Sequence, residues 1–376
     1  MTALSGTTII ETAERVCGEW TARLLADFGA EVIKVERPGG SPTRRFGPPV
    51  ANGASAVFAY ANTGKKSVVL DLETPEGRAA LERLLARADA LIDDHTPAWC
   101  ESRNLAPADL SARFPQLVHC HITPFGQDAP ADMARAFPIN IAAAGGWAWH
   151  TPSESGDSDP PLMGASPFMP DFDTGYDAAL ATAASLFHQR RTGEGRVIDL
   201  SEVAVQLSRA DVVLGRVLAG DDEPSQSRRR YDMGGPGRVF ACADGHVHLI
   251  MTTTRHWRGL LGLMDDPAWG QEFPEDWLEF HCTPDRVATF RAHFRSWIAD
   301  KPRDAITHEA HRRGVMLAPV NLAPDLFANP QYRHRGFFQA LDGTDTPAAP
   351  YRMTASPPRL TRPAPEPGAD DREVAA

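Results

Sequence analysis

The sequence predicts an α/β protein: a large Rossmann-like domain on a parallel sheet, plus a smaller α+β domain. Strand-like and helix-like segments alternate over residues 1–125, the pattern of a parallel sheet covered by helices. The polar stretch AGDDEPSQSRRRYD at 219–232 then separates this half from a region of short strands followed mainly by helices. With 376 residues, 42% of them hydrophobic, the chain is long enough to bury about two cores.

The elements follow in order. A strand is expected over 7–10, an amphipathic helix over 14–28 stopped by Gly29, and a strand over 31–36 (EVIKVE). After the loop ERPGGSPTRRFGPP come a strand over 67–72 and a helix over 75–88, with Pro75 in its first turn. Further strands are expected over 90–93 and 117–123. A helix over 175–191, a turn over 192–195, a strand over 196–200 and a helix from 201 to about 218 complete this half. Beyond the link, MGGPGRVFACADGHVHLIM reads as two strands joined at Ala-Asp-Gly, and helices are expected over 284–298 and 302–313. After Gly336 the chain is Pro-rich and reads as an extended arm on a surface.

Composition excludes several functions. Lys and Arg number 38 against 49 for Asp and Glu, a net charge of −11, so neither nucleic acid nor an anionic membrane is an expected partner. No apolar run reaches the length of a membrane span and the N-terminus lacks a signal pattern, so a cytoplasmic location is expected. The five cysteines lack Cys-x-x-Cys spacing, which predicts reduced thiols with neither a disulfide framework nor a zinc site. Gly18 alone stands near the start of the first helix. Without Gly-x-Gly-x-x-Gly there, a nicotinamide or flavin site of the usual kind is not expected.

The run PFMPDFDTGYDAALATAASLFHQRRTGEGRVIDL holds the candidate for chemistry. An acidic loop with Asp171 and Asp173 opens a helix of small residues, suited to close packing on another backbone. From the residues alone, Asp171 is either a helix cap or a reactive carboxylate.

Five blocks then carry a resemblance. LLADFGAEVIKVERPGG, KKSVVLDLETPEGRAALERLLARADALID, ITPFGQDAP, PDFDTG with RRTGEGRVIDLSE, and GVMLAPVNLAPDLFANPQYRHRGFF resemble, in this order, the family III CoA-transferases, the carnitine-dehydratase and bile-acid-inducible protein F group. The similarity runs from Leu4 to about Phe338. It implies a large domain built from both ends of the chain, 1–222 and 323–376, a small domain over 223–322, and an interlocked homodimer.

The family's nucleophile is an aspartate four residues before a glycine, which Asp171 and Gly175 match and Asp173 does not. The resemblance implies transfer of CoA from an acyl-CoA to a carboxylic acid through an anhydride and an aspartyl-CoA thioester, with no metal, NAD or flavin. It further implies that coenzyme A meets Val16, Cys17, Arg37, Leu70, Asp71, Leu72, Glu73, Asp94, His95, Arg103 and Arg135. Gly234, Gly235 and Gly237 would form a mobile loop over the site. The chain departs from the family where Glu-Asn-Phe-Arg-Pro-Gly becomes Asp93-Asp94-His95-Thr96-Pro97-Ala98, where Gly-Pro becomes Gly18-Glu19, and where Ser102 replaces a basic residue.

Two alternatives stay open. One is an α-methylacyl-CoA racemase, a sister branch whose histidine base belongs in the segment matching RAFPINIAAAGG, which has none; His150 lies nearby. The other is a non-catalytic CoA-binding subunit of a heteromer. Apolar Pro138, Ile139, Trp147, Trp149, Phe168 and Met169 are candidate lining for an acyl group of unreadable identity.

Overall fold

Six segments rich in β-branched residues, most of them buried on both faces, assemble into one parallel sheet. The computed structural model describes residues 2–50, 53–146, 168–209, 215, 218–220 and 236–375. Its strands are β1 (Thr8–Glu11), β2 (Glu31–Glu36), β3 (Lys66–Val69), β4 (Ala90–Asp93), β5 (Val118–Thr123) and β6 (Arg196–Ser201). They lie in the order β3-β2-β1-β4-β5-β6 with every pairing parallel. The direction of winding reverses between β1 and β4, which places the ligand crevice of such a sheet at their carboxyl ends.

Helices cover both faces: α1 (Val16–Asp27), α2 (Ala56–Asn62), α3 (Pro75–Leu85), α4 (Pro97–Glu101), α5 (Pro107–Arg113), α6 (Pro138–Ala144), α7 (Met169–Thr192) and α8 (Glu202–Arg209). Ile9, Ala90, Ile92, Cys120 and Ile122 point to one core with α1 and α7, while Ile10, Ile33, Val35 and Leu91 point to the other with α3, α4 and α5. Every residue of α1 is buried.

The chain divides into two compact units. The first is Met1–Ser153, Pro160–Asp222 and Arg333–Ala376; the second is Glu154–Asp159 and Glu223–Tyr332. In the second, β7 (Arg238–Cys242), β8 (Gly245–Ile250) and β9 (Met316–Pro319) form an antiparallel sheet in that order. Its core centres on Trp257, Phe273, Trp277, Phe290 and Phe294.

Three expectations need correction. The central helix α7 starts at Met169 rather than 175, so Pro170 and Asp171 occupy its first turn instead of a loop. β3 stops at Val69 rather than 72, because Asp71 forms a local turn: its carboxylate accepts from the Glu73 amide at 3.0 Å and its carbonyl from the Thr74 amide at 3.1 Å. The C-terminal segment is more than an extended arm. It contains a hairpin of β10 (Phe338–Leu341) and β11 (Thr344–Pro347) and a terminal helix, Asp371–Ala375.

That end of the chain also closes the sheet edge. The Ser67 amide of β3 donates to Asp370 Oδ2 at 2.9 Å, the Val69 amide donates to Asp371 Oδ1 at 2.9 Å, and the Asp370 amide donates back to the Ser67 carbonyl at 3.0 Å. Among the described residues, no helix is long and apolar enough to cross a membrane.

Candidate active site

The amino end of α1 lies at the switch point between β1 and β4, where helix amides without intrahelical partners favour negative charge. Two carboxylates meet it. Asp94, directly after β4, accepts from the Glu14 amide through Oδ1 and from the Arg15 amide through Oδ2, both at 2.9 Å. Glycine at position 18 permits this approach, because a Cβ there would stand 2.7 Å from Asp94 Oδ2 and 2.4 Å from Ala13 Cβ. Burial raises the Asp94 carboxyl to about 6, against the opposing pull of His95 and Arg15.

Asp171 is the second. It projects from the first turn of α7, and the Cys17 backbone amide of α1 donates to its carboxylate. Its Oδ2 is buried without a hydrogen-bond partner among the described residues. Gly175, one helical turn on, explains how α7 comes this close. A Cβ at that position would fall 2.6 Å from Trp20 Cδ1 and 3.1 Å from the Cys17 carbonyl oxygen, so a side chain would force α7 away from α1. The spacing Asp-x-x-x-Gly is therefore a packing requirement: the glycine brings the helices together and the aspartate, on the same face, reaches the end of α1.

The electrostatics follow from this confinement. Burial is the main cause that lifts the Asp171 carboxyl to about 7, Glu202 and Asp94 add to it, and Arg15 opposes. Arg15 is bound by Glu202, donating through both terminal nitrogens, with the Nη2 to Oε2 distance 2.9 Å. The fully buried Cys17 thiol is pushed well above its ordinary value by its desolvation. The result is a carboxyl that exchanges its proton near neutral pH and keeps one oxygen unbonded.

The other residues named from sequence take varied positions. Val16 and Cys17 are buried in the first turn of α1. Arg37, just after β2, is exposed and pairs with Glu14 at 3.3 Å. Leu70, Asp71 and Leu72 are half-buried and Glu73 exposed, in the turn after β3. His95 stacks on Trp99 with ring centroids 3.6 Å apart, Arg103 covers the same indole at 4.4 Å, and Arg103 pairs with Glu73. Arg135 is exposed and carries no ion pair among the described residues. Gly237 precedes β7 in the second unit, while Gly234, Gly235, Trp147, Trp149 and His150 lie outside the described residues. Asp173 is not part of the site: it faces Arg209 at 3.6 Å and Gln206 at 3.5 Å.

Sequence reasoning misses Glu202 and Arg15 as members of this site. A signal existed for Arg15, since a cation beside a helix amino end is electrostatically unfavourable and asks for a compensating partner. Two sets of side chains among the described residues converge closely enough to hold a metal ion: Cys17, Asp171 and Glu202 here, and Asp93, Cys100 and His121 on the opposite face of the sheet. In the first, Arg15 already supplies the positive charge.

The geometry is that of a doubly wound parallel sheet with a desolvated carboxylate at its switch point. The chain belongs to CoA-transferase family III, whose model matches residues 4–371. It is 32% identical over 392 residues to a succinate–glutarate CoA-transferase from Agrobacterium fabrum, covering 99% of this chain and 95% of the relative. It is 28% identical to a succinyl-CoA:mesaconate CoA-transferase from Haloarcula marismortui, over 98% of this chain and 92% of that one. Among solved structures, a CAIB/BAIF family protein from Brucella suis superposes with a TM-score of 0.85 at 26% identity, covering 100% of this chain and 98% of the other. The activity is accordingly that of a transferase acting on coenzyme A thioesters.

Proposed function

We propose that the protein moves coenzyme A from an acyl-CoA to a free carboxylic acid, with Asp171 as covalent carrier. The observation that supports this is the unbonded Oδ2 of Asp171, desolvated at the amino end of α1. In the proposed sequence that oxygen attacks the thioester carbonyl and the C–S bond breaks, giving a mixed anhydride and CoA thiolate. The thiolate attacks the aspartyl carbonyl, releasing the donor acid and leaving aspartyl-CoA. The acceptor carboxylate then displaces the thiolate to form a second anhydride, and the thiolate takes the acceptor acyl group, restoring Asp171. No water is consumed, so exclusion of water from the site preserves the thioester's energy.

Coenzyme A is proposed to run along the carboxyl edge of the sheet. Arg37, Leu70 to Glu73, and Asp94 with His95 follow the carboxyl ends of β2, β3 and β4, and Val16 and Cys17 open the helix after β1. Arg103 and Arg135 remain candidates to meet its phosphates, and the glycines at 234, 235 and 237 to cover the acyl group. A second copy of the chain is the proposed partner. Leu180 and Phe187 expose 70% and 64% of their surface on α7, and Tyr176, whose ring also meets Trp20 of α1 edge-on, exposes 41%, an apolar stripe that association would bury.

The named substrates of the relatives set the first assay: succinyl-CoA as donor, with glutarate or mesaconate as acceptor. Hydroxylamine added during turnover is expected to leave an aspartyl hydroxamate at position 171. Exchange of the α-proton into solvent without acyl transfer would instead favour the racemase reading, which the segment over 135–146 disfavours by containing no histidine. CoA binding with neither reaction would mark a non-catalytic subunit.

A further inference from the structure

A second convergence of side chains, on the other face of the sheet, is not used by the proposed transfer chemistry. Asp93 ends β4, and His119 and His121 stand two apart on β5, so all three side chains leave the sheet on the side away from α1. The β4–β5 register sets Asp93 beside His121, and Cys100 of α4 closes over them. Three donors turn toward one oxygen: Asp93 Oδ2 lies 2.9 Å from His121 Nδ1, 3.2 Å from Cys100 Sγ and 3.8 Å from His119 Nε2. All four residues are buried, at 2% exposure or less.

Hydrogen bonding alone leaves this cluster incomplete. Neither ring nitrogen of His119 has a hydrogen-bond partner among the described residues, although the ring is buried and its Nε2 is aimed at the Asp93 carboxylate. An orphaned buried imidazole is costly. A divalent cation between the four groups would use that nitrogen, and a carboxylate with a thiolate would cancel its charge in a dry interior.

We propose that Asp93 Oδ2, Cys100 Sγ and His121 Nδ1, which already converge, bind one zinc-class divalent transition metal, and that His119 Nε2, 3.8 Å from Asp93 Oδ2, turns in as the fourth ligand. The mixed N, O and S donors suit a tetrahedral, borderline-soft cation rather than magnesium or calcium. The outer support is already built, since His95 donates to Asp93 Oδ1 through its backbone amide at 3.0 Å and engages the same oxygen through Nδ1 at 2.7 Å. On binding, the Cys100 thiol gives its proton to solvent and its sulfur pair to the metal. The sequence expectation of no metal looked for Cys-x-x-Cys spacing; here two ligands come from alternate positions of one strand and two from its neighbour and the short helix after it. The metal would pin α4 to β4 and β5 and hold the strand end that carries Asp94. The proposal stands apart from acyl transfer by Asp171.

Full-length protein freed of metal by a chelator and titrated with Co²⁺ tests it. The expected result is one Co²⁺ per chain, with tetrahedral ligand-field bands, a thiolate-to-cobalt charge-transfer band, release of a proton, and loss of both signals when Zn²⁺ is added. Cys100→Ser should abolish the charge-transfer band, and His121→Gln should weaken binding by at least about tenfold. The double variant Cys242→Ser with Cys282→Ser, which removes the more accessible thiols, should leave the band intact. Failure of the unaltered protein to bind Co²⁺ or Zn²⁺ stoichiometrically overturns the proposal, as does binding without a thiolate band.

Discussion

Helix α1 carries two buried groups of charges, and they are compensated in opposite ways. Along its body, Glu19 meets Lys34 at 2.9 Å, Glu11 meets Lys34 at 2.8 Å and Lys65 at 2.6 Å, and Ser41, Thr43 and Asn62 fill the remaining acceptor sites of Glu19. Two carboxylates face two ammonium groups. Glu19 is held below the usual carboxylate range by the nearby lysines even though burial pushes the other way. At its amino end, Asp171, Asp94 and Glu202 share a single guanidinium, that of Arg15, and the carboxyls of Asp171 and Asp94 rise to about 7 and about 6. Equal burial thus leaves Glu19 low where ammonium groups face it, though burial also brings Lys65 down to about 8, and lifts Asp171 where no such balance exists.

The largest expected break in this contrast is Asp171→Asn. Transfer should fall by at least about 10³-fold, read as CoA exchange between succinyl-CoA and an acceptor acid. The same change should stabilise the fold. A carboxyl at about 7 when folded, above its ordinary 3.8, lets the native state hold the extra proton, so stability is lost as pH rises between those values and the full penalty applies above about 7. Urea titration at pH 8 should therefore show Asp171→Asn more stable by on the order of 1–3 kcal/mol, and at pH 4 the gain should vanish.

Glu19→Ala attacks the balanced group. It leaves two buried ammonium groups sharing one carboxylate, and a loss of about 3–5 kcal/mol is expected in the same titration. Gly175→Ala tests the approach of α7 to α1. A cost of about 1–3 kcal/mol is expected, with kcat lowered about tenfold or more by displacement of Asp171. The smallest effect is a shift in pH profile. Activity of the unaltered enzyme should rise through a pH near 7 as Asp171 ionises, and Glu202→Gln, by removing a carboxylate that raises Asp171, should move that limb to lower pH. Should Glu19→Gln move it equally, the separation of the two groups would be wrong.

The strands of the large unit were legible where burial on both faces leaves an apolar run, as in Ala90-Leu91-Ile92, whereas EVIKVE keeps Lys34 and Glu36 inside by pairing them. Asp171 was singled out by the family resemblance, its own residues leaving cap and reactive carboxylate open, and the close approach of α7 to α1 at Gly175 gives the spacing a physical reason. The start of α7 was encoded too, with Pro170 and Asp171 in first-turn positions, but the following Asp-Thr-Gly resembles a loop. β9 was hidden because four residues, Met-Leu-Ala-Pro, take on strand geometry only through pairing with β8, some seventy positions earlier. Asp94 as the anchor for the Glu14 and Arg15 amides, and Glu202 as the partner of Arg15, depend on contacts about 80 and 187 positions apart in sequence. Local patterns show that Arg15 needs a partner but not which residue supplies it.

The clasp of Asp370 and Asp371 on β3 sets an order of events for the newborn chain. Five of the six parallel strands are made before residue 124, yet the outermost keeps raw amides until residues 370 and 371 have been made. Through most of synthesis that flank is open to pairing with a stranger. A chain ending before residue 370 would keep Asp171 and lose this cover on its sheet edge.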